Sequence, residues 1–186
     1  GSLFDSSYEE VNKVCGKYDK NRADQNGYQP FPFQYGKKDG LIPGFIDIHC
    51  HGGAGSYFSN ASRVKDVIKV HRDHGTTGII ASLGTESIED LKVQIAAAVP
   101  FYKSGQILGI HLEGPYLSHA RCGAHEPSLL INPDVAEIKE LLEIANGAIA
   151  MITIAPELLG AIEAIKYLSA AGVKVALGHT NGDFKD

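Results

Sequence analysis

Tryptophan is absent from these 186 residues, and methionine occurs once. Cysteine occurs only at positions 15, 50 and 122, an odd number with no C-x-x-C pair. Such a scattered set excludes a disulfide framework and makes the reducing cytosol the expected compartment. No apolar run approaches the roughly 18 residues of a membrane span, and no signal-peptide pattern opens the chain. Basic residues are not in excess either: 17 Lys and Arg stand against 22 Asp and Glu, a formal charge of −5. A charge of that sign gives nucleic acid and anionic membrane no electrostatic reason to bind, so neither is expected as a partner. With 44% hydrophobic residues and no low-complexity tract, disordered and collagen-like classes are excluded as well. Gly1-Ser2 in place of an initiator Met reads as a cloning scar or a start inside a longer gene.

What is present is uneven. Residues 1–40 form an irregular lead: Asn21 to Gly27 is polar, Pro30-Phe31-Pro32-Phe33 is proline-rich, and the most it offers is one short helix near Tyr8–Val14. From residue 41 onward, short apolar runs alternate with segments of helical period. The strand candidates are Gly44–Ile48, Gly78–Leu83, Ile107–Leu112, Ile149–Ile154 and Val173–Leu177. They are almost continuously apolar, as parallel strands buried on both faces are.

Between them, Val64, Val67, Ile68 and His71 line a first helix that Gly75 stops. Ser87 to Asp90 fits a capping box for the second, Asn132-Pro133 offers a cap and first-turn proline for the third, and Asn146-Gly147 ends it. Leu158, Ile162, Ile165 and Leu168 mark a fourth, closed by Gly172. The order βαβαβαβαβ predicts a parallel α/β sheet with right-handed crossovers.

Ligands gather at the carboxyl ends of such strands. The first strand ends in His49-Cys50-His51, the second in Gly84-Thr85, the third in His111-Leu112-Glu113, the fourth in Ala155-Pro156-Glu157 and the fifth in Gly178-His179-Thr180-Asn181. Four of the eight histidines fall at these ends, and His125 lies in the long loop after the third. His49 and His51 are two apart, so both imidazoles point to one side while Cys50 points to the other. With Glu113 and His179 they offer N and O donors suited to zinc or ferrous iron.

Each of these residues also has a blander reading. An isolated H-x-H is usually a polar turn, a lone Glu113 a cap or salt-bridge partner, and a lone His179 a donor to a loop carbonyl. Joint placement at one end of three strands weighs against all three. For His71 and His74 the bland reading prevails: helix-face residues near a C-terminus, where a cation is mildly favoured. His119 is expected in solvent. Cys50 reads as a packed small side chain with no activating neighbour.

Pro43-Gly44-Phe45-Ile46-Asp47-Ile48-His49-Cys50-His51-Gly52-Gly53 resembles the first-strand signature of the amidohydrolase superfamily, and its wording is similar to the N-acetylglucosamine-6-phosphate deacetylases. Gly75-Thr76-Thr77, His111 to Leu117 with Gly123 to Pro127, Ile154 to Glu157 and Leu177 to Asn181 agree in order and spacing. The resemblance covers about residues 41–186 and implies a (β/α)8 TIM-barrel type of fold, of which only about five βα units are present here, after the 1–40 lead. It further implies Glu113 as the carboxylate ligand of a principal metal and His179 as the first of that metal's two histidine ligands. His49 and His51 would hold a second ion in members that keep both, so one or two divalent ions (zinc or iron) are expected.

The backbone of Ala124 would contact the sugar, and His125 would stand near the acetyl carbonyl as the catalytic and substrate-binding histidine. The implied reaction hydrolyses the acetamide of N-acetylglucosamine 6-phosphate to glucosamine 6-phosphate and acetate. The partners it implies are a small-molecule amino-sugar phosphate and a second copy of the chain, as a homodimer.

A complete barrel of this type needs roughly 250 residues. The family's second histidine ligand and its catalytic aspartate fall after the fifth strand, so the 186 residues alone are expected not to turn over the substrate. Two other readings stay open at this stage. One is a non-catalytic half-barrel completed by self-association or a partner; the other is an amidohydrolase for a cyclic amide or an N-acyl amino acid, against which the Glu113 loop argues.

Overall fold

A computed structural model of the protein describes residues 44–183. The lead expected over 1–40, its short helix near Tyr8–Val14, and Cys15 lie outside the described residues. In chain order the elements are β1 (Phe45–Cys50), β2 (Gly52–Gly53), β3 (Ser56–Tyr57), α1 (Val64–Asp73), β4 (Thr76–Leu83), α2 (Ile88–Lys103), β5 (Gly109–Glu113), α3 (Val135–Ala145), β6 (Ile149–Ile154), α4 (Ala161–Ala170) and β7 (Lys174–Leu177). Two single-turn 3₁₀ helices, His119–Arg121 and Pro127–Leu129, flank the loop that carries His125.

Five strands form one parallel sheet in the order β1-β4-β5-β6-β7, and β2 pairs with β3 as a small antiparallel ribbon. Each main strand lies beside its predecessor with no reversal of order. A doubly wound sheet reverses at a switch point; right-handed crossovers without reversal place every helix on one face, which is the winding of a barrel. The sheet is a curled half-barrel of five strands. No helix among the described residues is long and apolar enough to cross a membrane.

The core lies between the helices and the sheet. Val67 and Ile68 of α1, Leu91 and Ile95 of α2, Ile138 and Leu141 of α3, and Ala164 and Leu168 of α4 are buried against Ile79, Ile110, Leu112 and Ile152. Strand β5 is buried over its whole length. The outer strands are not: Phe45, Ile46 and Ile48 on β1 and Leu177 on β7 are more than half exposed. Among the described residues, β1 and β7 each have a strand partner on one side only, as five strands of an unclosed barrel require.

The helix signals hold with two corrections. Ser87 caps α2, its Oγ accepting from Asp90 N at 3.1 Å, and Asn146 ends α3 in the left-handed region at φ 47°. Helix α3 starts at Val135, however, and its cap is Asp134, whose Oδ1 accepts from Ala136 N at 2.6 Å, not Asn132. A carboxylate beside the first-turn donors displaced the earlier Asn-Pro signal. On α4 the buried stripe is Ala161, Ala164 and Leu168, and Ile162 is half exposed. Small alanines at i and i+3, with Leu168 at i+7, set the buried stripe and turn Ile162 outward.

Candidate metal centre

The H-x-H segment is shaped by an irregularity in β1. Asp47 pairs with Ile79 and Cys50 with Ala81, so three steps along β1 match two along β4. Such a bulge bends the strand end and re-aims its side chains. Beyond it, Cys50 N donates to Ser82 Oγ at 3.0 Å and the thiol turns toward α1. His49 and His51 take the other face, their Nε2 atoms 3.1 Å apart.

Glu113 ends β5 in the middle of the sheet and is nearly fully buried. Its Oε2 lies 2.7 Å from His51 Nε2, 3.2 Å from His49 Nε2 and 3.7 Å from His125 Nε2; its Oε1 lies 3.2 Å from His179 Nε2. One carboxylate therefore joins two donor sets, His49–His51–Glu113 and Glu113–His125–His179. The hydrogen bond from His51 pulls the Glu113 carboxyl down to about 2, outweighing the burial that would raise it.

The second set is oriented from behind. His179 Nδ1 is 2.8 Å from the Arg121 carbonyl oxygen, which can only accept. Nδ1 therefore carries a proton, and in the neutral tautomer the Nε2 lone pair is aimed at Glu113 Oε1. His125 Nδ1 lies 2.8 Å from Thr85 Oγ1, whose hydroxyl is also within reach of the Glu113 carbonyl at 3.4 Å. If that hydroxyl donates to the carbonyl, His125 Nδ1 donates to Thr85 and its Nε2 lone pair also faces the carboxylate. A lone pair facing a carboxylate is repulsive unless a proton or a cation lies between them. Nδ1 tied to a carbonyl or hydroxyl, with Nε2 free to ligate, is how metal-binding histidines are held. The donor set fits a divalent cation.

The turn bearing His179 is itself braced. His179 has φ 49°, its carbonyl accepts from Ser118 N at 3.0 Å, and the Glu157 carboxylate accepts from Thr180 Oγ1 at 2.6 Å and Asn181 N at 2.7 Å. Burial works to raise Glu157, but these donors prevail and hold it below the ordinary carboxylate range. His125 is held below the usual imidazole range, by burial first. Ala124, expected at the sugar, is exposed on the loop beside it.

His111 takes a different place from the other strand-end histidines. It is fully buried under the cluster, with Nδ1 2.9 Å from Ser82 Oγ and Nε2 2.8 Å from Thr153 Oγ1. Its ring packs edge-on against His49 at 4.7 Å. Burial, reinforced by His49, pushes it down to about 4 and keeps it neutral. Neither Ser82 nor Thr153 was singled out from the sequence. The available signal was one hydroxyl in each of the apolar runs Gly78–Leu83 and Ile149–Ile154.

These two shifts set an acid limit. A buried imidazole that titrates near 4 when folded and 6.5 when unfolded adds stability that is complete above pH 6.5 and lost as pH falls toward 4. Glu113, at about 2 against 4.5, adds stability present above 4.5 and lost between 4.5 and 2. Denaturant unfolding of the metal-free chain is expected to lose roughly 2–3 kcal/mol between pH 7 and 4 through His111. A His111→Gln variant should flatten that window, and an unchanged slope would contradict the assignment.

Gly114 follows Glu113 at φ 98°, where L side chains are strained, and a Cβ there would collide with Thr85 Oγ1. Gly147 has φ 83° with open space around it. Gly147→Ala should therefore cost about 1 kcal/mol of backbone strain, and Gly114→Ala clearly more, about 2–3 kcal/mol, by also pushing Thr85 off His125. Urea unfolding of the two variants side by side checks the difference.

Two readings of individual residues change. His71 does sit on the helix face near its C-terminus but is partly buried and engaged rather than merely exposed there, and Cys50 has a polar neighbour: His71 Nε2 lies 3.1 Å from Cys50 Sγ and 2.9 Å from the Gly52 carbonyl oxygen. The bulge, invisible to residue spacing, turns both Asp47 and Cys50 toward α1. His119 is exposed, as expected.

No protein-family model matches the chain. Among solved structures, a mutant N-acetyl-D-glucosamine-6-phosphate deacetylase from Mycobacterium smegmatis in complex with N-acetyl-D-glucosamine-6-phosphate is 46% identical with a TM-score of 0.76, covering 77% of this chain and 38% of its own. Among curated proteins, the N-acetylglucosamine-6-phosphate deacetylase of Danio rerio is 36% identical over 157 residues, 77% of this chain and 38% of the relative. The N-acetylgalactosamine-6-phosphate deacetylase of Escherichia coli O157:H7 is 31% identical over 160 residues, 82% of this chain and 42% of the relative. The chain thus spans about two-fifths of the length of the relatives it matches. Over the part it shares with them, by sequence and by fold, the chain is similar to the N-acetylhexosamine-6-phosphate deacetylases.

Proposed function

We propose that these residues build the metal-holding half of a centre that hydrolyses the acetamide of an N-acetylhexosamine 6-phosphate. The observation that carries this reading is the convergence of four imidazoles on Glu113, with His179 Nε2 directed at the carboxylate by its Nδ1 bond to Arg121. Glu113 and His179 would hold a principal zinc or ferrous ion, and His49 with His51 a second. When bound, such an ion supplies Lewis-acid polarisation of the acetamide carbonyl and a more acidic water.

The chain's own residues do the rest of their share by position. Glu113 brings negative charge to the floor of the site. Thr85 orients the His125 ring, and in the tautomer in which Thr85 Oγ1 donates to Nδ1, the Nε2–H can donate to the acetyl oxygen and hold it in line for attack. The exposed backbone of Ala124, next in the chain, meets the sugar. His111 stays neutral beneath His49 and adds no competing positive charge to the donor set.

The test replaces the corresponding segment of the Mycobacterium smegmatis relative with residues 44–183 of this chain and measures acetate release. Turnover of N-acetylglucosamine 6-phosphate is expected, falling by at least about a hundredfold with Glu113→Gln. A folded chimera that leaves this substrate untouched would sink the proposal. Preference for the galactosamine epimer would support the reaction and correct the sugar, a reading favoured by the 31% identity to a deacetylase of that name. By itself the 186-residue chain is expected to release no acetate.

A further inference from the structure

We propose that Asp47, Cys50 and His71 form a separate cation site for a borderline-soft divalent ion such as zinc, on the α1 side of strand β1. The three donors come from the strand and from α1, and their ligating atoms all lie within 4.8 Å of one another. Cys50 is buried, while Asp47 and His71 are partly so. The Gly52 carbonyl oxygen, 2.9 Å from His71 Nε2 and 3.5 Å from Cys50 Sγ, adds an oxygen at the same spot.

The valence of one atom calls for an ion here. An imidazole Nε2 has a single hydrogen or a single lone pair to offer. His71 Nε2 nevertheless stands within bonding distance of both a thiol and a carbonyl oxygen, with a carboxylate close by. A hydrogen bond satisfies one of these at a time. A cation among Sγ, Nε2 and the carboxylate oxygen satisfies all three. The same crowding marks His51 Nε2, which has both His49 Nε2 and Glu113 Oε2 within 3.1 Å on the opposite face.

Thiolate, imidazole and carboxylate are the ordinary zinc donors, and the sulfur shifts preference away from magnesium and calcium. As the metal–sulfur bond forms, the thiol proton leaves to the buffer. Alternate residues of one strand end thus face two ion sites, His49 and His51 on one side and Cys50 on the other.

Cobalt(II) titration of the whole 186-residue chain tests this, because cobalt bound to thiolate gives a near-ultraviolet charge-transfer band that N and O donors do not. The band is expected in the wild-type chain, to persist in Glu113→Gln, and to vanish in Cys50→Ser together with one equivalent of bound cobalt. His71→Gln, checked for fold by circular dichroism, should weaken cobalt at this site at least tenfold and provides the test should Cys50→Ser fail to fold. A wild-type chain without the band, or a band that survives Cys50→Ser or is unmoved by His71→Gln, overturns the proposal. Because the readout is independent of Glu113, its failure leaves the deacetylase reading standing, and the reverse holds too.

Discussion

Replacing Glu113 with glutamine is expected to weaken zinc binding at the imidazole cluster by at least about a hundredfold. Gln keeps the length and one oxygen acceptor but removes the carboxylate charge that the four imidazoles share. Breaking a buried charge pair from one side costs about 3–5 kcal/mol, a factor of roughly 150 to 5,000 in an equilibrium constant. Bridging amplifies the loss, since Oε2 faces His49 and His51 while Oε1 faces His179, so both donor sets lose their charge together. Competition against a chromophoric chelator, in a Cys50→Ser background that leaves this cluster alone to titrate, reads the change. Affinity within tenfold of the parent would mean that the imidazoles hold the ion without the carboxylate.

Truncating Leu112 to alanine is expected to cost about 3–5 kcal/mol of unfolding free energy. Leu112 is fully buried on the one strand that is covered throughout, between Leu83 of β4 and Ile152 of β6. Large-to-small changes in such positions lose the transfer energy of the side chain and leave a cavity that rigid neighbours cannot fill. Val93, more than two-thirds exposed on α2, provides the contrast, and Val93→Ala should stay within about 0.5 kcal/mol. Guanidinium unfolding of both variants decides; a Leu112→Ala loss below 1 kcal/mol would mean that the strand is not packed as described.

Most of the fold was legible because its signals are local. The strand at Ile149–Ile154 appears with the limits its apolar run predicts, and Ser87, Asn146 and Gly75 stop or start helices through short-range backbone chemistry. The Asn132 cap misled because two residues on a better acceptor, Asp134, competes for the same donors. Among the site residues, His49, His51, Glu113 and His179 could be grouped because strand ends share one rim. Thr85 and Ser82 could not be assigned their partners, since His125 and His111 are 40 and 29 residues away. His71 was misjudged for a related reason: helical period gives the face of a residue, but only the bulge in β1 puts a thiol opposite it.

The strand order has a consequence for how the chain comes together in time. Every main strand pairs only with the strand before or after it along the chain, so each βα unit can dock as soon as it has been synthesised. The donors do not follow that schedule. His49 and His51 emerge with the first strand, Glu113 with the third, and His179 only after the fifth, with 130 positions separating His49 from His179. On the proposed ligand assignment, the first three donors are made before His179 and would be available to an ion before it arrives. Under that assignment, what surrounds the nascent chain would select the first ion, and the finished pocket would retain it or exchange it.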